Sequence, residues 1–422
     1  MRRVLMINYY FPPLGGIGSL RALGFAEHLP EFGWEPIVLA PRNGAYLDDP
    51  SLGFRADRVV RAWSLELSRA GKRVLRTSGD DVEPAAVGPL RSVPRALVRR
   101  WLYFPDAQIG WYPGALAGGR RVIRDMKVDA IFSSSGPITA HLVARSLRRR
   151  SAIPWIAEFR DPWSARLLDA ELPQRQRAER LERSIAAEAS AVVMPSPSWS
   201  AEHARRWDRA VATIPNGFGD VPPAGSPPHG ELVACYLGSY YPPSQDLSAI
   251  WAALARLAAE RSSRPVRVRV VGAVSSAMRA ELRAHGIEPL LEETGFVPHA
   301  EALRLAASSS VLLVAGPTGE DRAGEGWVPA KLFEYLATGL PIVWVGPAEN
   351  DGASLLREHA GCSVLPAHDI DGVFAVLAAI EAERHERDLA GLSRADRTRQ
   401  LVDLLDRALD PGAGIVQEVP RR

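Results

Sequence analysis

Short runs that are apolar at every position recur along this chain, and each is followed by a stretch of helical length. RVLMIN (3–8), PIVLA (36–40), DAIFSS (129–134), PWIAEF (154–159), AVVMP (191–195) and VATIP (211–215) read as strands, with helical stretches such as 19–32, 138–150 and 172–189 between them. A strand apolar at each residue, rather than every second one, is covered on both faces. Strands of that kind joined through helices run parallel, which is the βαβ pattern of a doubly wound sheet. A Pro- and Gly-rich segment at 219–231 interrupts the pattern and reads as a linker. The alternation then restarts with LVACYLG (232–238), RVRVVG (267–272), SVLLVAG (310–316), PIVWVG (341–346) and GCSVLP (361–366). Helices are expected near 246–260, 276–285, 299–308 and 369–385, and a last one near 393–409.

The expected fold class is therefore α/β, with two doubly wound, Rossmann-like domains facing a central cleft. The expected boundaries are 1–218, a linker at 219–231, 232–392, and a C-terminal segment 393–422. A chain of 422 residues is too long for one typical domain. Open α/β sheets bind ligands outside the C-terminal ends of their strands. Residues about 60–115 depart from the alternation and read as an insertion in the first half. They carry Trp63, Trp101 and Trp111 beside Arg95, Arg99 and Arg100. Such a segment suits an amphiphilic acceptor or peripheral contact with an anionic membrane surface; the alternative is a packed excursion with solvated Arg side chains.

Composition narrows the function. The net charge is +2, which gives no bulk electrostatic case for nucleic acid. Cys235 and Cys362 form neither a disulfide framework nor a metal spacing, no other metal-ligand cluster is visible, and neither a metal nor a resident cofactor is expected. MRRVLMIN turns polar too soon for a signal peptide, and no apolar run approaches 18 residues. The expected location is the cytoplasm, including the membrane surface. The sequence leaves the oligomeric state open.

Chemistry-bearing residues gather after the strands. The loop NYYFPPLGGIGSLR (8–21) is glycine-rich, yet Arg21 stands where a dinucleotide fingerprint needs its third glycine. SSSGPITAH (133–141) opens a helix carrying His141, and EFRDPW (158–163) ends a strand with Arg160 and Asp161. YLGSYYPPSQD (236–246) begins the second half with Gly238 and Ser239. Near the C-terminus, PAKLFEYLATGLPIVWVG (329–346) places Lys331 in the first turn of a helix of about ten residues, with Glu334 one turn on. A cation there opposes the helix dipole unless an anion is near. The chain has three Lys among 51 basic residues, which favours a phosphate-facing ammonium over a solvated one.

These motifs, with IPNGF (214–218) and GFVPH (295–299), resemble in order and spacing the retaining nucleotide-sugar glycosyltransferases of family four, over nearly all of the chain except 45–110. The resemblance implies a GT-B architecture whose last helix crosses back to the first domain. It implies transfer of a glycosyl group, with retention, from a nucleotide diphosphate sugar to the hydroxyl of a small-molecule, glycan or lipid-linked acceptor. By the same resemblance Glu334 binds the donor ribose, Gly15, Gly16, Gly238 and Ser239 approach the donor phosphates, and Phe296 and Val297 bracket the base. Asp161, Arg160 and His141 fall on the acceptor and catalytic side. Two departures stand out. The family's earlier Glu is replaced by Gly326, and no cation follows Gly238, so Lys331 or Arg322 would supply that charge. An epimerase on the same fold and a catalytically silent binding subunit are the alternatives.

Overall fold

The computed structural model describes residues 1–42, 44, 48–65, 104–165, 172–221, 230–260, 265–318, 322–381 and 384–410. They form two compact units. One comprises the chain up to Pro215 together with the segment from Arg394 on, and the other is Asn216–Ser393.

The sheet of the first unit contains β1 (Arg2–Ile7), β2 (Trp34–Pro41), β3 (Val59–Ala62), β4 (Ala130–Ser134), β5 (Trp155–Glu158), β6 (Ala191–Met194) and β7 (Ala212–Thr213). Their order is β3-β2-β1-β4-β5-β6-β7, and every pairing is parallel. Val4 of β1 pairs with Pro36 on one side and Ala130 on the other. Val4, Leu5, Met6 and Ile7 are all inaccessible to water, so successive residues on opposite faces are equally buried. That is the physical origin of the unbroken apolar runs. The helices Ile17–His28, Tyr112–Asp125, Thr139–Ser151, Leu172–Glu188 and Pro197–Trp207 connect the strands.

The second unit repeats the plan with β8 (Leu232–Leu237), β9 (Val266–Val271), β10 (Leu291–Glu293), β11 (Val311–Ala315), β12 (Ile342–Val345) and β13 (Cys362–Leu365). The order is β10-β9-β8-β11-β12-β13, again all parallel. In each sheet the winding direction reverses once, between β1 and β4 in the first and between β8 and β11 in the second. The crevice at such a reversal is where doubly wound sheets take ligands.

The stretch read as an insertion contains regular structure at both ends. β3 extends the sheet edge beside β2, and the helix Tyr112–Asp125 packs on the same sheet. Gly114, Gly118 and Gly119 lower its helix propensity and mask it in the sequence. Gly114 is required by contact, since a Cβ there would lie 2.1 Å from the Trp63 carbonyl oxygen. Trp111 is fully buried, edge-on to Tyr9 with ring centroids 5.5 Å apart. It is a core residue rather than part of an exposed aromatic patch, because its ring fills space beneath the β1 loop. Trp63 remains 48% exposed. Trp101, Arg95, Arg99 and Arg100 lie outside the described residues, as does most of the 219–231 segment.

The helix Arg394–Leu409 belongs to the first unit. Its Leu401, Val402 and Leu405 join the core built by Val4, Met6, Phe25 and Trp34. Trp34 Nε1 donates to Asp406 Oδ1 at 2.9 Å, which fixes the helix along its length. At the opposite end of the same unit lies a buried ion pair. Arg21 donates to Glu158 Oε1 through Nε and Nη2, at 2.9 and 2.7 Å. Ser134 Oγ donates to the other carboxylate oxygen at 2.5 Å. The guanidinium also reaches the carbonyls of Ile214 and Pro215, both at 2.7 Å. One cluster thus joins the first helix, β4, β5 and the last residues before the chain enters the second unit.

Two outcomes follow from this packing. Leu401→Ala removes a fully buried side chain and should lower unfolding free energy by about 2–5 kcal/mol in urea titrations. Glu158→Ala strands the Arg21 guanidinium and should cost about 3–5 kcal/mol, whereas replacing both partners by apolar residues of matching volume should recover much of that loss.

Candidate active site

In the first unit the loops after β1, β4 and β5 meet at the winding reversal, and Arg160 ties them together. Its backbone N–H donates to Ser135 Oγ at 3.1 Å, and its guanidinium donates to the carbonyls of Ser135 and Gly136 at 2.5 and 2.9 Å. The same guanidinium lies 5.9 Å from the centre of the Tyr10 ring. It fills the space where a Cβ on Gly18 would stand, 2.1 Å from Nη1, so the glycine there admits the arginine. Gly15 is buried and Gly16 is half-buried with φ 83°, at the entry to the first helix. Asp161 follows Arg160 and is half-buried. Arg160 therefore positions the loop that holds Gly15 and Gly16 as well as its own.

His141 is placed differently. It is wholly buried, with Nδ1 2.8 Å from Ser133 Oγ, and Trp155 Nε1 donates to that hydroxyl at 2.7 Å. Its ring packs 4.6 Å from that of Phe159. Burial, with the nearby Arg160 charge, pushes its pKa down to about 3. The imidazole has no accessible surface and packs within the core behind the loop.

In the second unit the site is built on the exit of β8. Gly238 follows Leu237 with φ 95°, a conformation suited to glycine. Beside it, a Cβ on Gly272 at the end of β9 would lie 3.0 Å from the Gly238 carbonyl oxygen. The helix Lys331–Thr338 holds this exit from below. It is eight residues long, starting two residues after Pro329. Tyr335 Oη accepts from the Leu237 N–H at 3.0 Å, and Lys331 Nζ donates to the Leu237 carbonyl at 3.1 Å. The Lys331 ammonium also sits 4.0 Å above the Tyr236 ring, a contact worth about 0.5–2 kcal/mol. Lys331 is thus a buried amine at the β8 exit, not a solvated first-turn residue. Burial pushes its pKa down to about 7. Ser239 is exposed, and its carbonyl accepts from the Tyr236 hydroxyl at 3.0 Å.

Glu334 lies one turn along the same helix and is also buried. His299 Nε2 is 3.0 Å from its Oε1. The turn that carries His299 begins at Gly295 and presents Phe296 with 52% of its surface exposed, while Val297 packs against the core beneath the helix. The structure therefore joins two motifs that lie far apart in sequence, GFVPH and the Lys331–Thr338 helix. His299 was not singled out by the sequence, since no local spacing relates it to Glu334. Asn350 was also missed. Its side chain caps the following helix and donates to the Gly324 carbonyl at 2.6 Å, fixing the loop that leads to Lys331. The Arg322 side chain lies outside the described residues. Among the described residues no group of three or more His, Cys, Asp or Glu is placed to hold a metal ion.

Comparison with known proteins agrees with this fold. Residues 15–217 match the glycosyl transferase 4-like domain. A segment of 153 residues is 28% identical to the putative colanic acid biosynthesis glycosyltransferase WcaL of Escherichia coli (strain K12), covering 31% of this chain and 37% of that protein. The match thus spans well under half the length of this curated relative. Among solved structures, the sucrose-phosphate synthase of Thermosynechococcus elongatus superposes with a TM-score of 0.59 at 16% identity, covering 98% of each chain. The lipopolysaccharide outer core galactosyltransferase WaaB superposes with a TM-score of 0.55 at 12% identity, covering 96% of this chain and 99% of that one. WaaG, a glycosyltransferase involved in lipopolysaccharide biosynthesis, does so at 0.55 and 12% identity, covering 97% of this chain and all of its own (100%). The chain thus carries a glycosyl transferase 4-like domain over residues 15–217, and its two parallel α/β units have the GT-B fold of these solved structures.

Proposed function

We propose that this protein transfers a glycosyl group from a nucleoside diphosphate sugar to an acceptor hydroxyl, with retention of configuration. The observation that carries the reading is the grouping of Lys331 and Glu334 on one short helix against the Gly238 turn. The backbone at Gly238 and the Lys331 ammonium are suited to the diphosphate, Glu334 to the ribose hydroxyls, and the exposed Phe296 ring to the base. Departure of a nucleoside diphosphate leaves negative charge on the phosphate oxygens. A cation already desolvated at that point stabilises this charge more than a hydrated one would. Lys331 fits the position that the residues after Gly238 leave without a cation. The donor is a substrate, and no resident cofactor is part of the proposal.

The acceptor is assigned to the first unit, at the loops held by Arg160, with Asp161 orienting its hydroxyl. Small-molecule, glycan and lipid-linked acceptors all present such a hydroxyl. Among the described residues no helix is long and apolar enough to cross a membrane. The exposed Trp63 is compatible with an acceptor that carries an apolar portion.

Glu334→Ala should weaken nucleoside diphosphate binding by about 1.5–3 kcal/mol, as a charge-assisted pair of hydrogen bonds is lost. Calorimetric titration measures this, and unchanged affinity in the folded variant removes the ribose assignment. Lys331 gives a second outcome. Its folded pKa is depressed from 10.5 to about 7, so between those values the unfolded chain binds more protons and stability rises with pH. A diphosphate beside the amine restores its charge. Binding at about pH 8 should therefore take up about one proton, read from heats in buffers of different ionisation enthalpy. Lys331→Met should abolish the uptake and lower turnover more than it lowers stability.

A further inference from the structure

Glu334 does not stand alone at the end of its helix. Its Oε1 is 3.0 Å from Nε2 of His299, and the two side chains are 7% and 20% exposed. They come from separate helices. His299 opens the helix His299–Ala307 after the turn that follows β10, and Glu334 is one turn into Lys331–Thr338. An ionised carboxylate only accepts, so the proton of this hydrogen bond belongs to His299 Nε2. A glutamate side chain has three rotatable bonds, and accepting from two neighbouring hydroxyls requires one orientation of its carboxylate. A donor fixed to one oxygen selects that orientation before a ligand arrives. This is the way outer groups orient the residues that touch a ligand elsewhere in proteins.

We infer that His299 is a positioning residue for the nucleotide: it holds the Glu334 carboxylate in the orientation that accepts from the ribose hydroxyls, and so makes the site prefer ribonucleotides to 2′-deoxyribonucleotides. The inference rests on the donor role proposed for Glu334. The turn supports it independently. Phe296, three residues before His299, offers a half-exposed aromatic ring, and the intervening Val297 is packed against the core beneath the Glu334 helix. One rigid segment thus carries both a surface for a base and the partner of the carboxylate that would read the adjoining sugar.

The test is calorimetric titration of the full chain with ADP, GDP, UDP and CDP, and then with the 2′-deoxy form of whichever binds most tightly. The wild-type chain should prefer the ribonucleotide by about tenfold. His299→Leu should weaken the ribonucleotide by a similar factor and leave the deoxyribonucleotide nearly unchanged, so that the preference collapses. A general packing defect would weaken both alike. His299→Gln, whose amide can donate from nearly the position of Nε2, should retain most of the preference; His299→Asn, which places its amide nearer Nδ1, should not. That second pair decides the matter if His299→Leu does not fold, and equal behaviour of Gln and Asn overturns the inference. An unchanged preference in folded His299→Leu, with Glu334→Ala still weakening binding, overturns the role of His299 and leaves the donor reading intact. Failure of the wild-type chain to bind any of the four nucleotides overturns both.

Discussion

Glu158 ends an apolar strand and carries its carboxylate into a place with 1% exposure. An isolated charge could not remain there, and Arg21 reaches it from the first helix, with Ser134 satisfying the second oxygen. The consequence extends beyond the pair. The guanidinium also takes the carbonyls of Ile214 and Pro215, so three strand ends and one helix share a single polar knot. Arg160, two residues beyond Glu158, can then reach Ser135 and Gly136 because the backbone on both sides of it is already fixed. The loops proposed to receive the acceptor thus inherit their positions from a charge that no substrate touches.

The second unit reaches a similar end by other means. The peptide groups on both sides of Leu237 are engaged by one helix, the N–H by Tyr335 and the carbonyl by Lys331. These two residues are four apart and so lie on one helix face. The β8 exit, where Gly238 turns, is consequently registered to the same helix that carries Glu334. The backbone proposed to face phosphate and the carboxylate proposed to face ribose are set by one element, and their separation does not depend on a flexible loop.

Much of this was legible from residue pattern. Strands buried on both faces announce themselves as continuous apolar runs, and eleven such runs correspond to strands. β3 and β10 do not, because VVRA is an edge of four residues and LEE holds two acids. Three glycines hid the helix Tyr112–Asp125, where close approach to Trp63 outweighs propensity. Of the two readings that the basic, aromatic stretch allows, Trp111 follows the packed one, with its ring in the core. Arg21 was read only as a residue that spoils a glycine fingerprint. The acid at the end of PWIAE was the available signal, since a glutamate closing a buried strand requires a cation from elsewhere in the chain. The scarcity of lysine drew attention to Lys331, but nothing in the sequence shows that its nitrogen would be buried against Leu237 and Tyr236. His299 was invisible for a simpler reason: its partner is 35 residues away, on another helix.

The first unit is discontinuous in sequence, and its core is completed by Leu401, Val402 and Leu405 from the C-terminal helix. The whole second unit is synthesised between the two parts. On the ribosome the second unit can therefore close before the first one does, reversing the usual order in which domains fold as they emerge. Until that helix arrives, the apolar surface around Phe25 and Trp34 is left uncovered. A chain without Arg394–Leu409 would therefore have a complete second unit beside a first unit whose core is still open.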